Sequence, residues 1–346
     1  MDGEQTMNTL HKTVPDTSGL LAFLKMAKQK KVDFVVLELT SHALDQHKVS
    51  GIPIEVAVMT NLTQDHLDYH GSMEAYAASK ARLFNDYCKP KVVVLNRDDR
   101  WYEYFYSQAV GKTYSYGFNQ QASLPISDQD LTSKGSSFKL AFKADKLSFK
   151  TRLPGKFNLY NAAAAASVGL LLGIEPTKVA EGIHSLAAVP GRMETVDEGQ
   201  NFGVIVDYAH GPDALANVLA TLQEVTKGRV IAVFGATGDR DKSKRPIMGQ
   251  VAAKQADLIF LTDDEVYSED PDAIRQAVYG GIVAAGGDSK TTVIPDRRQA
   301  IKAAFSHAKP GDVVLLAGIG HQDYRVMGNG KVVWDERQVA RQILLG

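Results

Sequence analysis

A series of short apolar runs, each of strand length and each ending in a polar cluster, constrains this chain more than any other feature. Val32–Glu38 (VDFVVLE), Val56–Asn61 (VAVMTN) and Val92–Asn96 (VVVLN) are such runs in the first half. Val204–Asp207, Val230–Phe234, Leu258–Thr262 and Val313–Ala317 follow in the second. Continuous apolar runs of this length predict parallel strands covered on both faces. Helical stretches at Ser18–Gln29, Ser72–Tyr87, Ala214–Val225, Arg245–Gln255, Pro271–Ala284 and Arg297–His307 separate them. Strands that alternate with helices make parallel sheets, so the expectation is an α/β chain of two doubly wound parallel-sheet domains.

Two stretches break the rhythm. Thr113–Arg152 holds short alternating segments such as SFKLAF and LSFKTR, which predict an antiparallel ribbon. Tyr160–Leu172 (YNAAAAASVGLLL) is a strong helix former whose small side chains permit close packing. The break at Val189-Pro190-Gly191-Arg192 places a domain boundary there, giving 1–188 and 189–346. A length of 346 residues suits two domains of roughly 100–200 residues each.

Ligands of open α/β sheets bind beyond the carboxyl ends of the strands. Those ends here carry Glu38–His42, Asn61–His70, Asp207–His210, Gly235–Asp241, Thr262–Glu265 and Gly318–Gln322. The formal net charge is -1, with 39 Lys plus Arg against 40 Asp plus Glu, so no basic footprint for nucleic acid exists and an anionic substrate must be gripped locally. The single cysteine, Cys88, excludes an internal disulfide and thiolate metal sites and fits a reducing cytosol. No window supplies the ~20 apolar residues of a membrane span. A carboxylate (Glu38) and an imidazole (His66) at strand ends suit Mg²⁺ or Mn²⁺ near phosphate; taken alone, Glu38 reads equally well as a solvated strand end and Lys80 as a surface lysine.

The run Thr60-Asn-Leu-Thr-Gln-Asp-His-Leu-Asp-Tyr-His-Gly71, followed by Met73-Glu-Ala-Tyr-Ala-Ala-Ser-Lys-Ala-Arg-Leu-Phe84, resembles the central domain of Mur ligases. Glu38-Leu-Thr-Ser-His-Ala-Leu-Asp-Gln-His-Lys48 is similar to a segment of the MurE type, the UDP-N-acetylmuramoyl-tripeptide synthetases. Phe157-Asn-Leu-Tyr-Asn161, Val206-Asp-Tyr-Ala-His-Gly-Pro-Asp213 and Gly238-Asp-Arg-Asp-Lys-Ser-Lys-Arg245 continue the likeness through essentially the whole chain. The resemblance implies ATP-dependent amide ligation in peptidoglycan precursor synthesis. ATP phosphorylates the carboxylate ending UDP-MurNAc-L-Ala-D-Glu, and an amino acid then displaces phosphate. It implies Mg²⁺ held by Glu38, His66 and a carbamylated Lys80, with Lys80, His66 and His210 serving catalysis. Asn161, Arg192 and Asp207 correspond to nucleotide contacts. Thr13, Val14, Thr40, Gln46 and Lys48 fall where the family holds the UDP-MurNAc-peptide, Val14 and Lys48 replacing a threonine and an arginine. Arg240 corresponds to the grip on the incoming carboxylate, a bidentate role natural to guanidinium.

Three departures shape the expectation further. Asp264-Glu265-Val266-Tyr267 stands where diaminopimelate-adding enzymes carry Asp-Asn-Pro-Arg, and Gly318-Ile-Gly-His-Gln322 replaces Gly-Lys-Gly-His-Glu. The pocket implied by Asp264, Glu265, Tyr267, Gly318 and Gln322 therefore favours lysine or a similar diamine, with Arg325 the nearest alternative base for a distal carboxylate. No Gly-x-x-x-x-Gly-Lys-Ser/Thr occurs, and Gly111-Lys112-Thr113 is a decoy that opens a strand rather than a helix. The expectation is a central domain incomplete at its N-terminus, poorly active alone, with the phosphate loop on a truncated or separately encoded N-terminal half. Another Mur-type ligase, of the folylpolyglutamate or cyanophycin kind, and a catalytically dead binding or regulatory protein stand as alternatives. A cytoplasmic location and no membrane or nucleic-acid partner complete the reading.

Overall fold

The computed structural model describes residues 14–132, 135–328 and 330–346. Thr13 lies outside the described residues. The chain divides into two compact units, one taking in residues up to Leu62 with His70–Pro125, the other Thr63–Tyr69 with Ile126–Gly346.

In the first unit α1 (Thr17–Gln29) and α2 (Ser41–Asp45) precede β1 (Val56–Met59). α3 (Leu67–His70), which the division crosses at its last residue, and α4 (Met73–Ala81) lead to β2 (Val92–Asn96); α5 (Tyr102–Gln108) leads to β3 (Lys112–Gly117). Asp16, Thr40 and Ser72 start α1, α2 and α4 by accepting the otherwise orphaned amides of Gly19, Ala43 and Ala75. The three strands are parallel, Val58 opposite Val94 and Val94 opposite Tyr114. Alternate residues Ala57, Met59, Val93 and Leu95 bury one sheet face under Tyr76, Ala77, Phe84 and Phe105. β4 (Leu124–Thr132) starts parallel to β3 through Tyr116 and Leu124.

Two local expectations are corrected. Val32–Glu38 carries no regular structure, with Phe34 56% and Val36 94% exposed. An apolar run becomes an inner strand only with a hydrogen-bonded neighbour and cover on both faces; among the described residues β1 pairs with β2 alone, and of the run Leu37 packs against a core cluster while Phe34, Val35 and Val36 stay exposed. The helix expected over Ser72–Tyr87 ends at Ala81, where Leu83 and Phe84 donate to Lys80 and Ala81 three residues back and tighten the last turn.

In the second unit β4 continues antiparallel to β5 (Gly135–Phe142), and β5 pairs with β6 (Asp145–Thr151), so the ribbon forms as expected apart from Lys112–Gly117, which joins the parallel strands. α6 (Lys156–Leu171) and α7 (Pro176–Ser185) pack closely at Gly169, where a Cβ would stand 2.9 Å from Val179. There follow β7 (Glu194–Thr195), β8 (Gly203–Asp207), α8 (Pro212–Val225), β9 (Val230–Phe234), α9 (Lys244–Gln255), β10 (Leu258–Leu261), α10 (Pro271–Ala284), β11 (Thr291–Val293), α11 (Arg297–His307) and β12 (Val313–Ala317). A hairpin of β13 (Tyr324–Met327) and β14 (Gly330–Val333) and a last helix, α12 (Glu336–Leu345), complete the unit.

The strand order is β11-β10-β9-β12-β8-β7, parallel except for β7. Connections from β8 through β11 advance one way and the next one returns to β12, so right-handed crossovers put α8, α9 and α10 on one face and α11 on the other. The pleat agrees. Val230, Ala232 and Phe234 pack with Leu219, Met248 and Val278, whereas Ile231 and Val233 pack with Ile301, Ala304 and Val339. This doubly wound sheet reverses direction at β12, the point in such a sheet where ligands bind beyond the carboxyl ends of the strands.

Candidate active site

The loops after β8, β9, β10 and β12 carry most of the expected residues of the second unit. Asp207 closes β8 with its carboxylate buried, accepting the Met193 amide at 2.8 Å. Burial pushes its pKa up, against the Met193 amide and the Arg192 charge. Arg192 itself is exposed, its guanidinium 5.2 Å from the centre of the Tyr208 ring. Burial, then Asp264 and Glu265, push the Tyr208 hydroxyl up to about 12. Gly191 must be glycine: its φ is +66° and a Cβ would lie 2.4 Å from the His321 amide nitrogen. Asn161 projects from α6, exposed, 3.5 Å from the Asn158 amide oxygen.

A charged hub forms around Asp65. Its carboxylate lies 3.7 Å from His66 Nε2, from His210 Nε2 and from Lys244 Nζ. Lys244 is 1% exposed. Burial opposes ionisation of Asp65, but His210, Lys244 and His66 outweigh it and hold the carboxyl well below the usual range. His210 Nδ1 is 2.8 Å from the Tyr208 carbonyl, which can only accept, so Nδ1 carries hydrogen and Nε2 is turned to Asp65. His66 takes a positive φ of 55°. The neighbouring Gln64 donates to Asp241 (3.0 Å) and Ser243 (2.9 Å), which fixes the Gly235–Asp241 loop to the Thr63–Tyr69 segment. The sequence reading took His66 and His210 from this hub and missed Asp65 and Lys244; an acidic residue beside a candidate metal-binding histidine was the available signal.

A second constellation gathers Arg240, Asp264, Glu265, Tyr267, Gly318 and Gln322. The Arg240 guanidinium sits 4.9 Å from the centre of the Tyr267 ring and donates to the Asp239 carbonyl. Glu265, 5% exposed, accepts the Val326 amide at 3.1 Å and the Gln322 side chain. Burial and the adjacent Asp264 push Glu265 up. Gly318, φ +115°, leaves room for Asp264: a Cβ there would meet Oδ2 at 2.1 Å. The loops are tied to each other by Arg245, whose guanidinium grips both oxygens of Glu269 at 3.0 and 2.7 Å. That pair, burial opposing it, brings Glu269 down to about 2. Beneath Gly318, the fully buried Arg297 donates to the Ala317 carbonyl and to Glu336. Arg325 is not the alternative base for a distal carboxylate. It is buried, donates to the Asp263 and Asp264 carbonyls at 2.7 Å, and stacks on Trp334.

In the first unit Glu38 is exposed and Lys80 half-buried, its Nζ 5.3 Å from the centre of the Tyr76 ring one turn back. The adjacent Ser79 donates to the Ser41 carbonyl at 2.9 Å, and His70 Nε2 lies 2.9 Å from Ser41 Oγ, so α4 holds the Glu38–Ser41 approach. Thr40 caps α2, and Gln46 and Lys48 close it: the His47 and Lys48 amides donate back to Leu44 and Ala43 in a Schellman turn. Val14 is buried among Leu20, Ala43 and Leu44. Among the described residues no three His, Cys, Asp or Glu side chains form a metal cage. Magnesium at phosphate takes one or two carboxylates with waters and phosphate oxygens, so an exposed Glu38 fits it, and Lys80 fits only once a carbamate replaces its ammonium.

Residues 3–169 match the family description "Mur ligase middle domain" and residues 191–320 match "Mur ligase, glutamate ligase domain". A UDP-N-acetylmuramoyl-L-alanyl-D-glutamate–2,6-diaminopimelate ligase of Geobacillus kaustophilus is 43% identical over 335 residues, 95% of this chain and 68% of that protein. The protein of the same name from Caldanaerobacter subterraneus is 40% identical, over 99% of this chain and 70% of its own length. A solved structure of a diaminopimelate ligase of that name superposes with a TM-score of 0.62 at 35% identity, over 96% of this chain and 68% of that one. Folylpolyglutamate synthase of Mycobacterium tuberculosis shares the fold, with a TM-score of 0.62 at 20% identity over 78% of this chain and 62% of that one.

Proposed function

Since the chain belongs to the Mur ligase family, we propose that it is an ATP-dependent amide ligase adding an amino acid to UDP-MurNAc-L-Ala-D-Glu in peptidoglycan precursor synthesis. The observation that carries this reading is the pairing, at one sheet edge, of the Asp65 hub with the Arg240–Glu265 constellation. An acid–amine ligation needs two places: one where a carboxylate is activated beside fixed positive charge, one where a zwitterionic amine is held for attack.

The terminal carboxylate of the dipeptide attacks the γ-phosphorus and ADP leaves; the amine then attacks the acyl carbon and phosphate leaves with a carboxylate oxygen. Mg²⁺, when bound, screens charge on the phosphates. Glu38, His66 and carbamylated Lys80 would hold it. Asn161, Arg192 and Asp207 take the nucleotide, and the exposed guanidinium of Arg192 suits phosphate. His210, oriented by the Tyr208 carbonyl and Asp65, serves as a catalytic imidazole. Thr13, Val14, Thr40, Gln46 and Lys48 belong to the UDP-MurNAc-peptide side; Val14, being buried, contributes through its backbone.

A phosphate-binding loop of the Gly-x-x-x-x-Gly-Lys type is not in the sequence, and Gly111-Lys112 opens β3 rather than a helix. We therefore assign the phosphate cradle to a further polypeptide segment, and expect slow ATP turnover by the 346 residues alone. Domains at 1–188 and 189–346, and a cytoplasmic setting, go with this reading; among the described residues no helix is long and apolar enough to cross a membrane. The test is product formation from ATP, UDP-MurNAc-L-Ala-D-Glu and an amino acid, with and without a polypeptide that carries the loop. ADP and ligated product in equal amounts support the proposal. Nucleotide or amino-acid binding without product in either mixture favours a binding protein instead.

A further inference from the structure

Beneath the loops that follow β10 and β12 lies a buried ionic set to which the ligation chemistry assigns no part. Arg297 opens α11 and Glu336 opens α12, and both side chains are wholly buried. Glu336 is the root of two arms. In the first, its carboxylate accepts Arg297 Nη2 at 2.7 Å and Nε at 2.9 Å, and the same Nη2 reaches the Ala317 carbonyl at 2.8 Å, the last residue of β12. In the second, it accepts the Trp334 indole N–H. Arg325 stacks on that indole, 4.8 Å from the ring centre, and donates to the Asp263 and Asp264 carbonyls at 2.7 Å, just past β10.

The two arms close on Asp264. Arg297 Nη1 and Arg325 Nε are buried with no hydrogen-bond partner among the described residues, as is Asp264 Oδ2. Both guanidinium charges act on the Asp264 carboxylate, which abuts Gly318. Two guanidiniums and two carboxylates thus make a neutral set spanning the ends of both strands. Stability alone is a poor reason for it: a buried ion pair exchanged for packed apolar residues of like volume often leaves a protein as stable or more so, because desolvation offsets the attraction. What apolar side chains do not supply is direction. A guanidinium fixes its acceptors in one plane, and here they are a carboxylate at a helix start and a carbonyl at a strand end.

We propose that Glu336 is a positioning residue for the amino-acid side of the ligation. Through Arg297 and Trp334 it sets the spacing between the Gly318 and Asp264 loops, and so between Gln322 on one and Glu265 on the other. The proposal rests on the ligase reading for its consequence in turnover; the link itself is a property of the folded chain.

The test is amide hydrogen exchange, read by NMR, in the 346-residue chain and two variants. Arg297→Met with Glu336→Leu replaces the pair by apolar side chains and should leave the fold, and exchange at the inner-strand amides of Val233 and Leu316, unaltered. The Gly318 amide, which donates to the Asp207 carbonyl, and the Glu265 amide, which donates to Asp264, should exchange at least about tenfold faster. Trp334→Phe keeps a ring under Arg325 and removes one hydrogen bond of the second arm, so only the Glu265 amide should exchange faster. Unaltered exchange in both loops, equal acceleration throughout the unit, or a double variant that does not fold overturns the proposal. Acceleration at Gly318 as large as at Glu265 in Trp334→Phe does so too. In the loop-supplemented ligation assay the double variant should raise the KM for the amino acid at least about tenfold, with kcat and the KM for ATP unchanged, and an unchanged amino-acid KM overturns the proposal equally. Absence of product with the wild-type chain removes the ligase reading, and the exchange measurement still decides the link.

Discussion

Removing the Asp65 carboxylate isolates a buried ammonium, and the cost can be worked from the geometry. Lys244 is 1% exposed and its Nζ is 3.7 Å from Asp65 Oδ1. At an effective dielectric near 20, unit charges at that distance attract by about 4 kcal/mol. The Asp65 side chain is 28% exposed, so solvent screens part of this. Breaking a buried pair from one side costs ~3–5 kcal/mol, and the partial exposure sets the expectation for Asp65→Ala at the lower end, ~3 kcal/mol. For a unit of this size that is a fall in Tm of roughly 6–12 °C. Lys244→Met in the same background removes the stranded charge, so the double variant should be more stable than Asp65→Ala, with a coupling of about 2 kcal/mol. Urea unfolding at neutral pH reads this directly. The chain has two tryptophans, Trp101 and Trp334, and only Trp334 belongs to the unit that holds the hub, so a Trp101→Phe background isolates it. A loss under about 1 kcal/mol for Asp65→Ala, or strict additivity of the two substitutions, would refute the electrostatic account of the hub.

Glu269 is held at about 2, against 4.5 in the unfolded chain, chiefly by Arg245; its contribution is therefore present above pH 4.5 and lost as pH falls toward 2. Wild type should lose about 3 kcal/mol over that window from this group, and Glu269→Gln should show a correspondingly flatter stability–pH curve in acid denaturation. Gly191→Ala should cost more than ~2 kcal/mol in the same unfolding assay, because φ is +66° and the His321 backbone blocks the methyl. Gly199→Ala, with φ +89° and open space around it, should cost only about 1 kcal/mol. Lys80→Ala should abolish ligation by the loop-supplemented enzyme, and short carboxylic acids should restore part of it; wild-type turnover in that variant would remove the carbamate role.

The doubly wound sheet was legible because each inner strand is a bare apolar run whose burial the sequence states outright. Val230–Phe234 and Val313–Ala317 behave as read, and the polar residues just after them do meet at one edge. Val32–Glu38 shows where this logic stops, since an apolar run specifies that it seeks cover but not which neighbour provides it. The β13–β14 hairpin was missed although Gly328-Asn-Gly330 between Tyr-Arg-Val-Met and Lys-Val-Val is a recognisable turn signal. Lys244, Arg297 and Glu336 could not be read locally. Each looks like an ordinary charged helix residue, and only distant partners make its burial tolerable: Asp65 for Lys244, and Arg297 and Glu336 for each other. Arg240 lies beside Tyr267 and Gln322 bonds to Glu265, neighbours the strand-end motifs could suggest, whereas the commitment of Arg325 to backbone carbonyls depends on a fold the sequence did not display.

The most direct test of the central claim follows one oxygen atom. UDP-MurNAc-L-Ala-D-Glu labelled with ¹⁸O in its terminal carboxylate is incubated with ATP, a basic amino acid, the chain and the loop-bearing polypeptide. Attack of that carboxylate on the γ-phosphorus, followed by amine attack at carbon, must leave one ¹⁸O in each phosphate released with the amide. Phosphate carrying one label per product is the predicted result; unlabelled phosphate, or AMP and pyrophosphate in place of ADP, would contradict it.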